Sequence, residues 1–154
     1  MEKFYEINKG TYCLIQNSNK TTTVLEENNE YEIEKNIHKI VDDSCRNFGS
    51  SLKGRVDGTI NLTGIKYKSP IVVSEYLSII MIPTGSTRGE ICHWISLSSI
   101  KRIERSKYDN TIIVFNNDKK IELDVSYFAM QNQFAKATRL DYNLRKKYDQ
   151  EKLG

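Results

Sequence analysis

The chain has 154 residues, with 23 basic against 20 acidic side chains and a net charge of +3; one domain of this length buries roughly 70% of its unfolded surface and needs no covalent staples. Three cysteines without C-x-x-C spacing and only two histidines argue against a zinc site or a disulfide framework and suggest a reducing compartment. Met1-Glu2-Lys3-Phe4-Tyr5-Glu6 lacks the apolar core of a signal peptide, and the longest apolar run, Ile79 to Pro83, is too short to span a bilayer, so a soluble cytoplasmic domain over residues 1–154 with no membrane partner is expected.

Thr11 to Gln16 and Thr21 to Leu25 are rich in β-branched and aromatic residues, and Asn17-Ser18-Asn19-Lys20 between them reads as the turn of a hairpin. After a second turn at Asn28-Asn29, Tyr31 to Glu34 alternates like an edge strand, with Glu26, Glu27, Glu30, Glu32 and Glu34 as a solvated face or an acidic protein contact. Ile37, Ile40, Val41, Cys45 and Phe48 recur at helical spacing before Gly49, a natural stop. That stripe makes Cys45 a small core residue and leaves Arg46 beside it, off the stripe. Thr59 to Ile65 is read as a strand, and Pro70 breaks the chain before Ile71-Val72-Val73. Leu77 to Ile82 is almost wholly apolar and suggests a buried central strand.

Thr84 to Glu90 is a small polar loop with Arg88 at its tip, suited to a phosphate or simply a hairpin connection. Trp94 to Leu97 is the next strand, with Trp94 in the core rather than a stacking platform, and Ile100 to Arg105 continues it or begins another. Thr111 to Phe115 and Lys120 to Val125 flank Asn116-Asn117-Asp118-Lys119, a strong hairpin signal. Ser126 caps a long helix with the stripe Met130, Phe134, Ala137, Leu140 and Leu144. The predicted fold is α+β: antiparallel strands in a sheet or partly open barrel, one helix near residues 36–48 and a long C-terminal helix near 126–147.

No catalytic constellation emerges, and no enzyme or cofactor is expected. Adjacent Cys92 and His93 point to opposite faces of a strand, Asp42 and Asp43 do not share a helix face, and Gly85 to Gly89 lacks the lysine and hydroxyl of a P-loop. Charge is uneven: residues 1–35 are net −3, residues 36–107 net +5 and residues 108–154 net +1. A basic middle fits an anionic partner bound there.

Within that middle, Ser44 to Pro70 holds Arg46, Lys53, Arg55, Lys66 and Lys68 against Asp57 alone, with Gly49, Gly54, Gly58 and Gly64. It reads either as a basic, glycine-rich loop that approaches phosphate closely or as an ordinary solvated turn. Ser44-Cys45-Arg46-x-Phe48-Gly49-Ser50-Ser51-x-x-Gly54-Arg55-x-x-Gly58-Thr59 resembles the signature of the bacterial competence transcription factors, the ComK family. The likeness continues through Lys68-Ser69-Pro70-Ile71, Ile82-Pro83-Thr84, Ser86-Thr87-Arg88, Trp94-Ile95-Ser96 and Val125-Ser126-Tyr127, covering roughly residues 37 to 145. Lys68-Ser69-Pro70 departs mildly from the Lys-Pro-Pro frequent in the family.

The resemblance implies a sequence-specific transcription activator of DNA-uptake genes that binds A/T-rich boxes, acts as an oligomer and recruits RNA polymerase. It also implies a C-terminal extension on which an adaptor docks the protein for proteolysis. The chain ends at Gly154, so a short member with weak adaptor-dependent turnover, or one that modulates a full-length member, is expected. The expected DNA contacts are Arg46, Ser50, Ser51, Lys53, Arg55, Lys66, Lys68 and Arg88. Acidic Asp42, Asp43 and Asp141 make neither helix a natural major-groove insert, whereas narrow A/T-rich minor grooves attract arginine; Arg55 is expected there, with Arg46 or Arg88 beside it. The competing expectation, by analogy with pleckstrin-homology-like barrels, is an interaction or anionic headgroup-binding module.

Overall fold

Apolar side chains occupy both faces of the central strands, and the fold buries both. In the computed structural model, which describes residues 1–86 and 91–153, strands β1 (Thr11–Gln16), β2 (Thr22–Glu26), β3 (Glu30–Ile33), β4 (Ile71–Ser74), β5 (Ile79–Pro83) and β6 (Trp94–Ser96) form an open antiparallel sheet in the order β3-β2-β1-β6-β5-β4. Leu14, Val73, Met81 and Trp94 point to one face, where they pack with Ile37, Ile40, Val41 and Cys45 of helix α1 (Ile37–Asn47) and Leu52 of helix α2 (Leu52–Thr63). Cys13, Val72, Ile80, Ile82 and Ile95 point to the other. There they meet a second sheet, β7 (Ile100–Arg105), β8 (Asn110–Phe115) and β9 (Lys120–Ser126), together with helix α3 (Tyr127–Leu153). This accounts for β5, which alternates apolar with apolar because a helical layer covers one side and a sheet the other.

The antiparallel α+β class, the hairpins at Asn17–Lys20 and Asn116–Lys119, the first helix and the long last helix are all present. Ser126 Oγ accepts the Ala129 N–H at 3.1 Å, and Met130, Ala137 and Leu140 are fully buried, with Phe134 and Leu144 packed beside them. Cys45 is fully buried, and burial pushes its thiol up to about 11. Trp94 is core. Ile100 begins a new strand in the second sheet, reached through a short 3-10 turn at Leu97–Ser99.

One expectation is overturned. The basic segment after Ser51 is not a loop leading into a strand at Thr59–Ile65; it is α2, a helix additional to the two expected. Ser51 Oγ accepts the Gly54 N–H at 2.9 Å to start it, and Gly64, at φ 78°, ends it in the left-handed conformation that glycine adopts without strain. Its inward side is Leu52, Val56, Thr59 and Thr63, at helical spacing. Two threonines that favour strands are satisfied internally: Thr63 Oγ1 donates to Thr59 O at 2.7 Å and Thr59 Oγ1 to Pro70 O at 2.7 Å. Gly54 and Gly58 lie on the outward side. Gly58 is helical, and a Cβ there meets nothing within 4 Å, so Gly58→Ala is expected to raise stability by about 0.5–1 kcal/mol. Denaturant unfolding checks this.

Candidate nucleic-acid interface

The corner between α1 and α2 carries most of the signature. Gly49 turns the chain at φ 87°, and Asp42 on α1 then holds both sides of the corner. Its Oδ1 accepts the Leu52 N–H at 2.9 Å and its Oδ2 the Arg46 Nε at 2.9 Å. These bonds, the backbone one foremost, hold the Asp42 carboxyl below the usual carboxylate range. Arg46 is exposed beside this pair, and Lys53 is exposed on α2 in an i,i+4 pair with Asp57 at 3.1 Å. Such surface pairs contribute little to stability. Ser50 and Ser51 are half-buried, Ser51 being the helix cap.

Arg55 does not stand on a loop tip. Its side chain is 17% exposed and turns inward from α2. Nη2 donates to Phe48 O at 3.3 Å and to Val73 O at 3.5 Å, and Nη1 lies 3.6 Å from Glu75, whose other oxygen accepts the Tyr148 hydroxyl of α3. Arg55 is thereby a clasp between α1, α2 and β4, its guanidinium carried on the helix α2 and engaged with two backbone carbonyls rather than standing out from a loop.

The segment from 64 to 70 crosses α3. Gln133, buried on α3, donates to Lys68 O at 2.8 Å and Pro83 O at 2.7 Å, and Lys136 Nζ donates to Tyr67 O at 2.8 Å. Lys68 is held at φ 47°, a conformation that costs a non-glycine residue free energy and persists where its surroundings enforce it. Between the segment and α3 lies a cleft of about 530 Å³ lined by Tyr67, Lys68, Asn132, Lys136 and Arg139 among others, with no carboxylate among its described lining residues. Lys66 is exposed on the same segment. Tyr67 is 63% exposed, with the Lys68 and Lys136 ammonium groups 5.5 and 5.9 Å from its ring centre. Lys66 and Lys68 were expected contacts; Lys136, Arg139 and Tyr67 were not.

The loop after β5 starts from a hydrogen-bonded base. The Thr84 N–H donates to His93 O and the His93 N–H to Thr84 Oγ1, each at 2.9 Å. His93 Nδ1 accepts the Gln16 N–H at 3.0 Å, and Gln16 Oε1 accepts the Cys92 N–H at 2.9 Å. Arg88 lies outside the described residues. Burial lowers the His93 pKa, and a proton on Nδ1 would oppose the Gln16 donor. The unfolded chain takes up that proton first, so stability is full above about pH 6.5 and falls as pH drops below it. His93→Gln is expected to flatten the pH dependence of the unfolding free energy below about pH 6.5.

Residues 2–149 match the ComK protein family. The chain belongs to the ComK family. The chain is also 34% identical over 132 residues to the competence transcription factor of Bacillus subtilis (strain 168), which covers 84% of this chain and 69% of that protein. No solved structure matches. ComK proteins are transcription regulators, not enzymes. Among the described residues no helix is long and apolar enough to cross a membrane, and no group of three or more His, Cys, Asp or Glu side chains could hold a metal ion. The ComK signature residues build the α1–α2 corner and the segment against α3.

Proposed function

We propose that this ComK protein is a cytoplasmic, sequence-specific DNA-binding activator of competence genes that recognises A/T-rich boxes in duplex DNA. The observation that carries the reading is its 34% identity to a competence transcription factor over 84% of its length. The distribution of cations supports it: Arg46 and Lys53 are exposed at the α1–α2 corner, and exposed Lys66 and half-buried Lys68 lie on the segment that follows. In this reading Lys53 and Lys66 neutralise phosphates, Ser50, Ser51, Arg46 and Lys68 set the register along the backbone, and the arginine that enters the minor groove is Arg88 or Arg46 rather than Arg55. Activation follows from assembly of more than one copy on the boxes and contact with RNA polymerase.

A reporter gene behind a promoter with A/T-rich boxes tests the reading in cells that lack their own ComK. Expression of this chain is expected to switch the reporter on, and scrambling the boxes to switch it off. A reporter silent with intact boxes, while the protein accumulates, would contradict activation.

A further inference from the structure

We infer that the cleft between α3 and the segment 64–70 seats the phosphodiester backbone of duplex DNA, gripped by Lys68 from one wall and by Lys136 and Arg139 from the other. The inference rests on the DNA-binding reading and assigns it a surface that includes α3.

Three observations converge. The cleft brings cationic side chains together with no carboxylate among its described lining residues, although the protein elsewhere pairs such groups freely: Arg46 with Asp42, Lys53 with Asp57 and Arg145 with Asp141. Lys136 is half-buried and faces Lys68; burial and then that like charge lower its pKa. Holding two ammonium groups together in partial desolvation is unfavourable until an anion lies between them. The wall that presents Lys68 is also not free to relax, since Gln133 and Lys136 tie its carbonyls to α3 and the lysine backbone is kept at positive φ. The fold thus maintains a positive cleft against its own electrostatic preference.

The shape favours a strand over a compact anion. Lys136 and Arg139 are three residues apart, so they share a face of α3 one turn from each other and present two cations in a row. Tyr67, exposed at the rim, offers a flat surface to a sugar. An extended chain of phosphates engages all three cations at once.

The test is fluorescence anisotropy of a labelled A/T-rich duplex titrated with the full chain across a salt series, with vesicles of anionic phospholipid in parallel. Lys136→Gln/Arg139→Gln is expected to flatten the log–log salt slope by about 1.8, at roughly 0.9 for each phosphate no longer neutralised, and to weaken binding at least about tenfold near physiological salt. Arg139 is exposed, so Arg139→Gln alone separates binding from folding and is expected to flatten the slope by about 0.9. Lys20→Gln, in the β1–β2 turn, should leave the slope unchanged, and thermal melting verifies each fold. Duplex binding with an unaltered slope in the Lys136 and Arg139 variants would overturn the cleft assignment and leave the DNA-binding reading intact. A wild-type chain that ignores duplex DNA and binds vesicles would overturn both.

Discussion

Arg55→Ala is expected to destabilise the protein by about 2–3 kcal/mol while the folded variant keeps its DNA affinity. The guanidinium is mostly buried and serves Phe48 O, Val73 O and Glu75, joining the end of α1, the β4 strand and, through Tyr148, the last turns of α3. Hydrogen bonds from a charged donor are worth more than neutral ones, and their removal leaves carbonyls without partners. Arg55→Lys should recover only part of the stability, because one ammonium cannot span the fork that the guanidinium fills. Denaturant unfolding gives the stability, and anisotropy below the unfolding transition gives the affinity. A variant as stable as wild type but unable to bind duplex would return Arg55 to the interface.

Arg55 also shows where the sequence was legible and where it was not. The stripe Ile37, Ile40, Val41 and Cys45 and the run Met130, Ala137 and Leu140 have strong 3.6 periodicity, and both helices formed where it predicts them. The strands were legible from β-branched runs and turn residues. The helix α2 was hidden because Gly54, Gly58, Thr59, Ile60 and Thr63 all disfavour helix locally, and tertiary contacts override them. The signals present were a Ser-Ser pair before Leu52, the spacing of Leu52, Val56, Thr59 and Thr63, and Gly64 as a stop. Of the candidate site, the exposure of Arg46, Lys53 and Lys66 agreed with a basic surface. The contribution of α3 could not be seen, since Lys136 and Arg139 each lie one position before a buried stripe residue, Ala137 and Leu140, and only the packing of the segment 64–70 brings Lys68 opposite them.

The second large effect concerns the groove. Inosine–cytosine pairs present the minor-groove pattern of A·T and the major-groove pattern of G·C. Boxes rebuilt from them are expected to bind comparably to A/T boxes, whereas true G·C boxes should bind more weakly by roughly 1–3 kcal/mol per replaced pair. The 2-amino group of guanine obstructs a side chain entering the minor groove, and A/T-rich tracts narrow that groove and deepen its negative potential. Competition anisotropy with the three duplexes reads the difference directly. Equal loss of binding to inosine–cytosine and G·C boxes would assign recognition to the major groove and remove arginine insertion from the account.

Whether this chain reads A/T-rich duplex DNA is decided by one titration: a labelled A/T-box duplex at physiological salt, challenged separately with unlabelled box, scrambled duplex of the same composition and anionic vesicles. Unlabelled box is expected to displace the label at concentrations at least about a thousandfold below the scrambled duplex, in line with the usual ratio of specific to non-specific binding, and vesicles are expected to leave it bound. Equal displacement by box and scramble, or displacement by vesicles alone, would contradict A/T-box recognition.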